Sequence, residues 1–176
     1  GAVTTVAGRG NSGSLDGTGT AAEFNSPFGI ALSSNGQFAV VVDKNSKKIR
    51  YIATATQAVS TLAGSGEFGD SDGTGISASF VYVYGISLSP DDTFALVAGR
   101  LTKTIRHIVI DTGVVTTLAG SATSSGSADG IGTAALFVSP YGVSISPDGS
   151  FAMVADGSKI RVIDLSNAKV TTLVGD

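Results

Sequence analysis

Apolar, β-branched and aromatic residues fall in runs of four to eight along the whole chain, separated by polar, glycine-rich breaks, and four kinds of run return in fixed order. The first is Pro27-Phe28-Gly29-Ile30, which returns as Val83-Tyr84-Gly85-Ile86 and Pro140-Tyr141-Gly142-Val143. The second spans Phe38 to Asp43, Phe94 to Gly99 and Phe151 to Asp156. The third carries Ile49-Arg50, Ile105-Arg106 and Ile160-Arg161. The fourth is a Val-Thr-Thr type segment at Val59, Val115 and Val170. Runs of this length and composition, punctuated by turn residues, predict short antiparallel strands, and no segment of helical period competes with them. Ser34-Asn35-Gly36 and Pro147-Asp148-Gly149 suit tight turns, because Gly accepts positive φ freely and Asn or Asp bonds its local backbone. Phe38 to Val42 and Phe151 to Ala155 are apolar at nearly every position, which predicts strands in sheets covered on both faces.

The fourth run also stands at Val3 to Gly8, and its four starts are 56, 56 and 55 residues apart. The chain is therefore one unit written three times, at about residues 9–64, 65–120 and 121–176, with 3–8 a surplus strand from a preceding unit. The whole of 1–176 reads as a single propeller segment. Four-stranded antiparallel units set around an axis give an all-β fold, a β-propeller of four-stranded blades. A linear β-solenoid competes, but its coils are usually much shorter than this period.

The sequence Phe-x-x-Pro-x-Gly-Ile, then Ser-Pro-Asp-Gly, Phe-Ala-x-Val-x-Asp, Ile-Arg-x-Ile and Val-Thr-Thr-Leu-Ala-Gly resembles the NHL-type propeller repeat over essentially the whole chain. It is similar to the long variant found in large surface proteins of algae, other protists and some bacteria. The second unit departs from the pattern: Val83 replaces the proline, Asp92 the turn glycine, and Gly99 the aspartate supplied elsewhere by Asp43 and Asp156. The resemblance implies extracellular or cell-surface placement and a surface-protein role.

Three units fall short of the usual four to eight blades. The expectation is a partial propeller or half of a six-bladed ring, formed by pairing of chains, by a longer polypeptide or by arcs stacked into a fibre. The surplus strand would complete a blade in a neighbour by strand addition. On this reading apolar residues of the end strands, Val3 to Val6 and Val170 to Val174, pair across chains.

Composition narrows the partners. Charged residues make up 14% of the chain, against about 25% in an ordinary soluble domain, so much of the surface is expected to be covered by protein or carbohydrate. Ser121, Thr123, Ser124, Ser125 and Ser127 form a candidate O-glycan loop, and the chain has no Asn-x-Ser/Thr sequon. A net charge of −3 argues against nucleic acid, which needs clustered Lys and Arg. The one basic cluster, Lys44, Lys47, Lys48 and Arg50, lies in a single hairpin. No apolar run reaches transmembrane length, so no membrane partner is expected.

Catalytic chemistry finds little support. With no cysteine and only His107, the common zinc sets cannot form, and no Gly-x-Ser-x-Gly elbow accompanies that histidine. Neither a cofactor nor a catalytic residue is expected. Asp16, Asp72 and Asp129 recur in Asp-Gly-Thr/Ile-Gly loops and are weak calcium candidates, since no loop has the Asp-x-Asp-x-Asp-Gly spacing with a distal Glu. Their joint recurrence with Arg50, Arg106 and Arg161 suggests instead a repeated salt bridge. Most aromatic residues recur in every unit and read as wedges between blades. Phe68 and Tyr82 break the pattern and are candidates for contact roles, as are Val3 and Val170. The expected function is a non-enzymatic structural or interaction protein, self-associating or joining other propeller segments into an extracellular filament, appendage or coat. The alternative is a binding module for a glycan, peptide or small ligand at the channel mouth.

Overall fold

The structure is a computed structural model and describes residues 1–175, so Asp176, the last position of the third unit, lies outside the described residues. Three antiparallel sheets follow one another along the chain. Blade 1 holds β1 (Gly17–Thr18), β2 (Pro27–Leu32), β3 (Phe38–Asp43), β4 (Lys48–Ala53) and β5 (Ala58–Ala63). Blade 2 holds β6 (Gly73–Thr74), β7 (Val83–Leu88), β8 (Phe94–Gly99), β9 (Thr104–Val109) and β10 (Val114–Gly120). Blade 3 holds β11 (Gly130–Ile131), β12 (Pro140–Ile145), β13 (Phe151–Asp156), β14 (Lys159–Asp164) and β15 (Lys169–Val174). The four long strands of each blade pair in sequence order, and the two-residue strand folds back onto the outer edge beside β5, β10 or β15. The sheets do not close, and the chain is an all-β partial propeller.

The hairpin turns show why these strands form. Ser33, Ser89 and Ser146 are buried; each donates its hydroxyl to Asn35, Asp91 or Asp148 and accepts the N–H of Phe38, Phe94 or Phe151. The hydroxyl of Ser146, joined by the N–H and hydroxyl of Ser150, holds the Asp148 carboxyl down at about 2. The turn position at φ near +70° is glycine in blades 1 and 3. In blade 2 it is Asp92 at φ 60°, whose carboxylate accepts the N–H and hydroxyl of Ser34 and so ties blade 2 to blade 1.

Two hydrophobic clusters lie between blades rather than within them. Val40, Val42 and Ile49 of blade 1 meet Phe80, Val83 and Ile86 of blade 2, and Leu96, Ala98 and Ile105 of blade 2 meet Phe137 and Val143 of blade 3. The inner strands β2, β7 and β12 approach so closely that a Cβ on Gly29 would strike the Tyr84 carbonyl, and one on Gly85 would come within 2.6 Å of the Tyr141 carbonyl. The glycines of the Phe28-Gly29 and Tyr84-Gly85 pairs are thus requirements of stacking.

One expectation about the chain ends needs correction, and the other concerns a pairing that lies outside a single chain. Within this chain Val3 to Gly8 forms no strand: Val3 is 98% exposed, Ala7 packs against the cluster of Ala22, Val41, Ile52 and Val59, and the N–H groups of Gly8 and Arg9 donate to the carbonyls of Gly19 and Ala22. In each blade the Val-Thr-Thr strand pairs with the strand carrying the arginine, and residues 3–8 have no such partner in this arc. Val170 is not available for contact between chains. It is wholly buried, opposite Ile163 and Gly130 of its own blade.

Candidate functional site

Each blade buries one arginine at its centre. Arg50 on β4 receives Asp43 at 3.1 Å and Asp16 at 2.7 Å, and also donates to the carbonyls of Leu15 and Glu23. Arg161 on β14 is held likewise by Asp156 at 3.4 Å and Asp129 at 3.0 Å. Arg106 on β9 is held by Asp72 and Asp70, both at 2.7 Å. Each guanidinium carbon lies 5.1–5.5 Å from the ring centre of Phe24, Phe80 or Phe137. The Nε–H of each arginine has no hydrogen-bond partner among the described residues. The pairing suggested by recurrence is therefore present in all three units.

This geometry accounts for the three recurring aspartates. One oxygen of Asp16, Asp72 or Asp129 accepts from the guanidinium and from the hydroxyl of Thr61, Thr117 or Thr172 on the outer strand. In blades 1 and 2 the other oxygen accepts the N–H of Thr61 or Thr117. Burial opposes ionisation of Asp129, but hydrogen bonds from Thr172 and Arg161 together with the Arg161 charge outweigh it and hold the carboxyl below the ordinary range. A guanidinium in the position a cation would occupy favours a structural role over calcium binding. Among the described residues, no three or more His, Cys, Asp or Glu gather as a metal set.

His107 stacks on Phe94 with ring centres 4.6 Å apart, as Tyr51 stacks on Phe38 at 4.9 Å in blade 1. Burial pushes the His107 pKa down from the usual value of 6.5. Thr123, Ser124 and Ser125 are exposed, whereas Ser121 and Ser127 are half-buried. Among the described residues no helix is long and apolar enough to cross a membrane.

The functional geometry that remains lies at blade faces and loop ends. Ile30 is 66% exposed on the upstream face of blade 1, although its counterpart Ile86 is buried between blades. On the downstream face of blade 3, Met153 is 36% exposed, where its counterparts Val40 and Leu96 are fully buried. Val174 is 61% exposed where Ala63 and Ala119 are fully covered. Strand β3 is covered on both faces as its composition predicts, but β13 alternates buried and exposed residues. The all-apolar pattern of β13 expects a cover that this arc lacks.

At the inner end of the blades, the rings of Phe28, Tyr84 and Tyr141 meet across blades with centres 4.4–5.8 Å apart, and the Lys44 ammonium lies 5.8 and 5.4 Å from the first two. Phe68 and Tyr82, which stand outside the repeat pattern, are both exposed and lie 6.2 Å apart, with Lys47 Nζ 4.3 Å from the Phe68 ring centre.

No family model matches the chain. It is similar to the proteins named NHL repeat-containing protein 2 of Bos taurus, 31% identical over 162 residues, and of Homo sapiens, 30% identical over 164 residues. These matches cover 85% and 86% of this chain, which spans only 22% of the length of either relative. Among solved structures it resembles an auxiliary nutrient binding protein from Bacteroides thetaiotaomicron (TM-score 0.65, 21% identity, 81% of this chain and 36% of that one). It also resembles the Kuenenia stuttgartiensis hydrazine synthase (TM-score 0.60, 20% identity, 93% and 40%). At these identities the structural likenesses establish the fold alone.

Proposed function

The chain is built of NHL-type β-propeller repeats, and from that premise we propose that it is a non-enzymatic interaction module whose two end faces take up further blades. The carrying observation is the contrast between equivalent positions: Met153 and Val174 are bare at one end and Ile30 at the other, while their counterparts inside the arc are covered. Gly142 adds to this. Its counterparts Gly29 and Gly85 are required by an approaching backbone, yet a Cβ on Gly142 would meet nothing nearer than Ala155 at 3.9 Å. The upstream face is of the kind that covers Met153's counterparts, so docking is head to tail, which closes into a ring or continues as a filament according to the rotation per step. The added blades come from other propeller segments or copies of this chain, and the assembly is an extracellular filament, appendage or coat in which the Ser/Thr loop at 121–127 carries O-glycans. The low charged fraction supports this reading.

A second reading, binding of a glycan, peptide or small ligand at the channel mouth, draws on the Lys44 ammonium over Phe28 and Tyr84. Electron micrographs of the native protein decide between the readings. A fibre with an axial repeat is the expected result. Free three-bladed arcs with both faces open overturn end-face docking, and isolated closed rings keep the docking but overturn the filament, leaving the channel mouth of the ring as the place to look for a ligand.

A further inference from the structure

The loops preceding β2, β7 and β12 are equivalent: the carbonyls of Ser26, Tyr82 and Ser139 each accept a backbone N–H from the residue just past β3, β8 or β13. Their side chains are not. Between blades 1 and 2, Tyr82 joins Lys44, Lys47 and Val83 around a crevice too narrow to admit water. Between blades 2 and 3 the corresponding residue is Ser139, and a cleft of about 440 Å³ opens there.

The cleft has a defined chemical character. Tyr82 and the half-buried Tyr84 supply aromatic surface, and Leu101 and Val138 add apolar surface, both exposed. Two cations, Arg100 and Lys103, also line it. Arg100 spends its Nε–H on the Ser139 hydroxyl at 3.1 Å, and neither cation takes part in an ion pair among the described residues. Asp156 beneath this wall is buried, its carboxylate bound to the N–H groups of Val138 and Ser139 and to Arg161. A chain of net charge −3 thus presents, at one blade junction, two unpaired cations around a place that an aromatic side chain fills at the junction beside it.

We propose that this cleft binds an aromatic side chain flanked by carboxylates on a partner protein. The ring takes the space that Tyr82 takes at the neighbouring junction and stacks on tyrosine, while the carboxylates meet Arg100 and Lys103. The two cations without ion-pair partners favour a ligand that brings carboxylates over a neutral sugar, which would leave both charges unmatched. The site is independent of end-face assembly and gives the channel-mouth reading a location and a ligand class.

The test is calorimetric titration of the native protein with the peptide Gly-Glu-Phe-Gly-Asp, beside a control with Gly in place of Phe. The expected result is saturable binding that weakens roughly ten-fold or more in the Arg100→Ala/Lys103→Ala variant, since two rim charges are removed. Binding should also fall with added salt and vanish in Ser139→Tyr, which plugs the cleft. The double variant removes one exposed and one half-buried side chain, neither in an ion pair, so it keeps the test decisive if Ser139→Tyr folds poorly. Absence of saturable binding, equal binding of the control peptide, or unchanged affinity in the double variant overturns the proposal. So does preferential binding of an acidic oligosaccharide through the same residues. Micrographs of the assembled state report on the end faces separately, so failure of one reading is distinguishable from failure of the other.

Discussion

Blades 1 and 2 bury the same arginine and neutralise it from different places. In blade 1 the second carboxylate is Asp43, the last residue of β3, and in blade 3 it is the equivalent Asp156. Blade 2 has Gly99 there, and a Cβ on it would collide with the Thr102 hydroxyl. The hydroxyls of Thr102 and Thr104, 2.8 Å apart, lie beside it, and the compensating charge comes from Asp70 in the outer loop, where blades 1 and 3 have Ser14 and Ser127. What the repeat preserves is the charge balance around a desolvated guanidinium, because an unpaired buried charge is far more costly than any change in the backbone position that supplies its partner.

Four perturbations would break or sharpen that comparison. The largest is removal of the arginine. Arg50→Ala leaves Asp43 buried without a countercharge and should cost ~3–5 kcal/mol. Arg106→Ala should cost less, because Asp70 keeps some access to water. Urea denaturation of the two variants gives the order directly, and equal losses would mean that the two cradles are energetically alike.

Relocating the charge comes next. Asp70→Ser should destabilise by about 1–3 kcal/mol. Adding Gly99→Asp with Thr102→Ser, which rebuilds the blade 1 arrangement, should recover most of that loss, and a triple variant no more stable than Asp70→Ser would show that blade 2 has diverged beyond the exchange.

Acid titration separates the cradles by sign. Burial raises the Asp70 carboxyl, and the nearby Arg106 only partly offsets it. Its contribution is therefore full below the unfolded value near 3.8 and is lost as pH rises through its higher folded value. Asp129 is lowered, so its contribution is present above the unfolded value and is lost as pH falls through the folded one. Between about pH 2 and 6, the stability differences of Asp70→Asn and Asp129→Asn from the parent protein should change with opposite slopes. The exposure of Asp129 keeps its effect small.

The smallest effect concerns the stacked pairs. His107 is lowered by burial, so the folded state resists its protonation, and the protein should lose slight stability as pH falls through 6.5 toward the folded value. His107→Tyr, which copies Tyr51 of blade 1, should abolish that pH dependence and leave neutral-pH stability nearly unchanged. A persistent slope in the variant would assign it to another group.

The strands, their turns and the propeller class were legible in the residues because each rests on local chemistry: short apolar and β-branched runs, Asn-Gly and Asp-Gly turns and a fixed period. The pairing of Asp16, Asp72 and Asp129 with the three arginines could be suggested from recurrence, since symmetric copies must satisfy the same buried charge. Asp70 could not be assigned that way. It occurs once, and only its 2.7 Å approach to Arg106 shows that it answers the missing aspartate at Gly99. The same holds for Asp92, whose departure from glycine reads as drift until its contact with Ser34 of blade 1 is seen.

By itself the sequence determined the unit and the four long strands of each blade, because side-chain pattern and turn chemistry act within a few residues. The tertiary structure decided which of those faces stay bare and which residues far apart share a buried charge. It also decided that Ser139 leaves open a cleft whose counterpart is closed beside Tyr82. Each of these depends on what the neighbouring blade places opposite, and spacing along one strand carries no record of that.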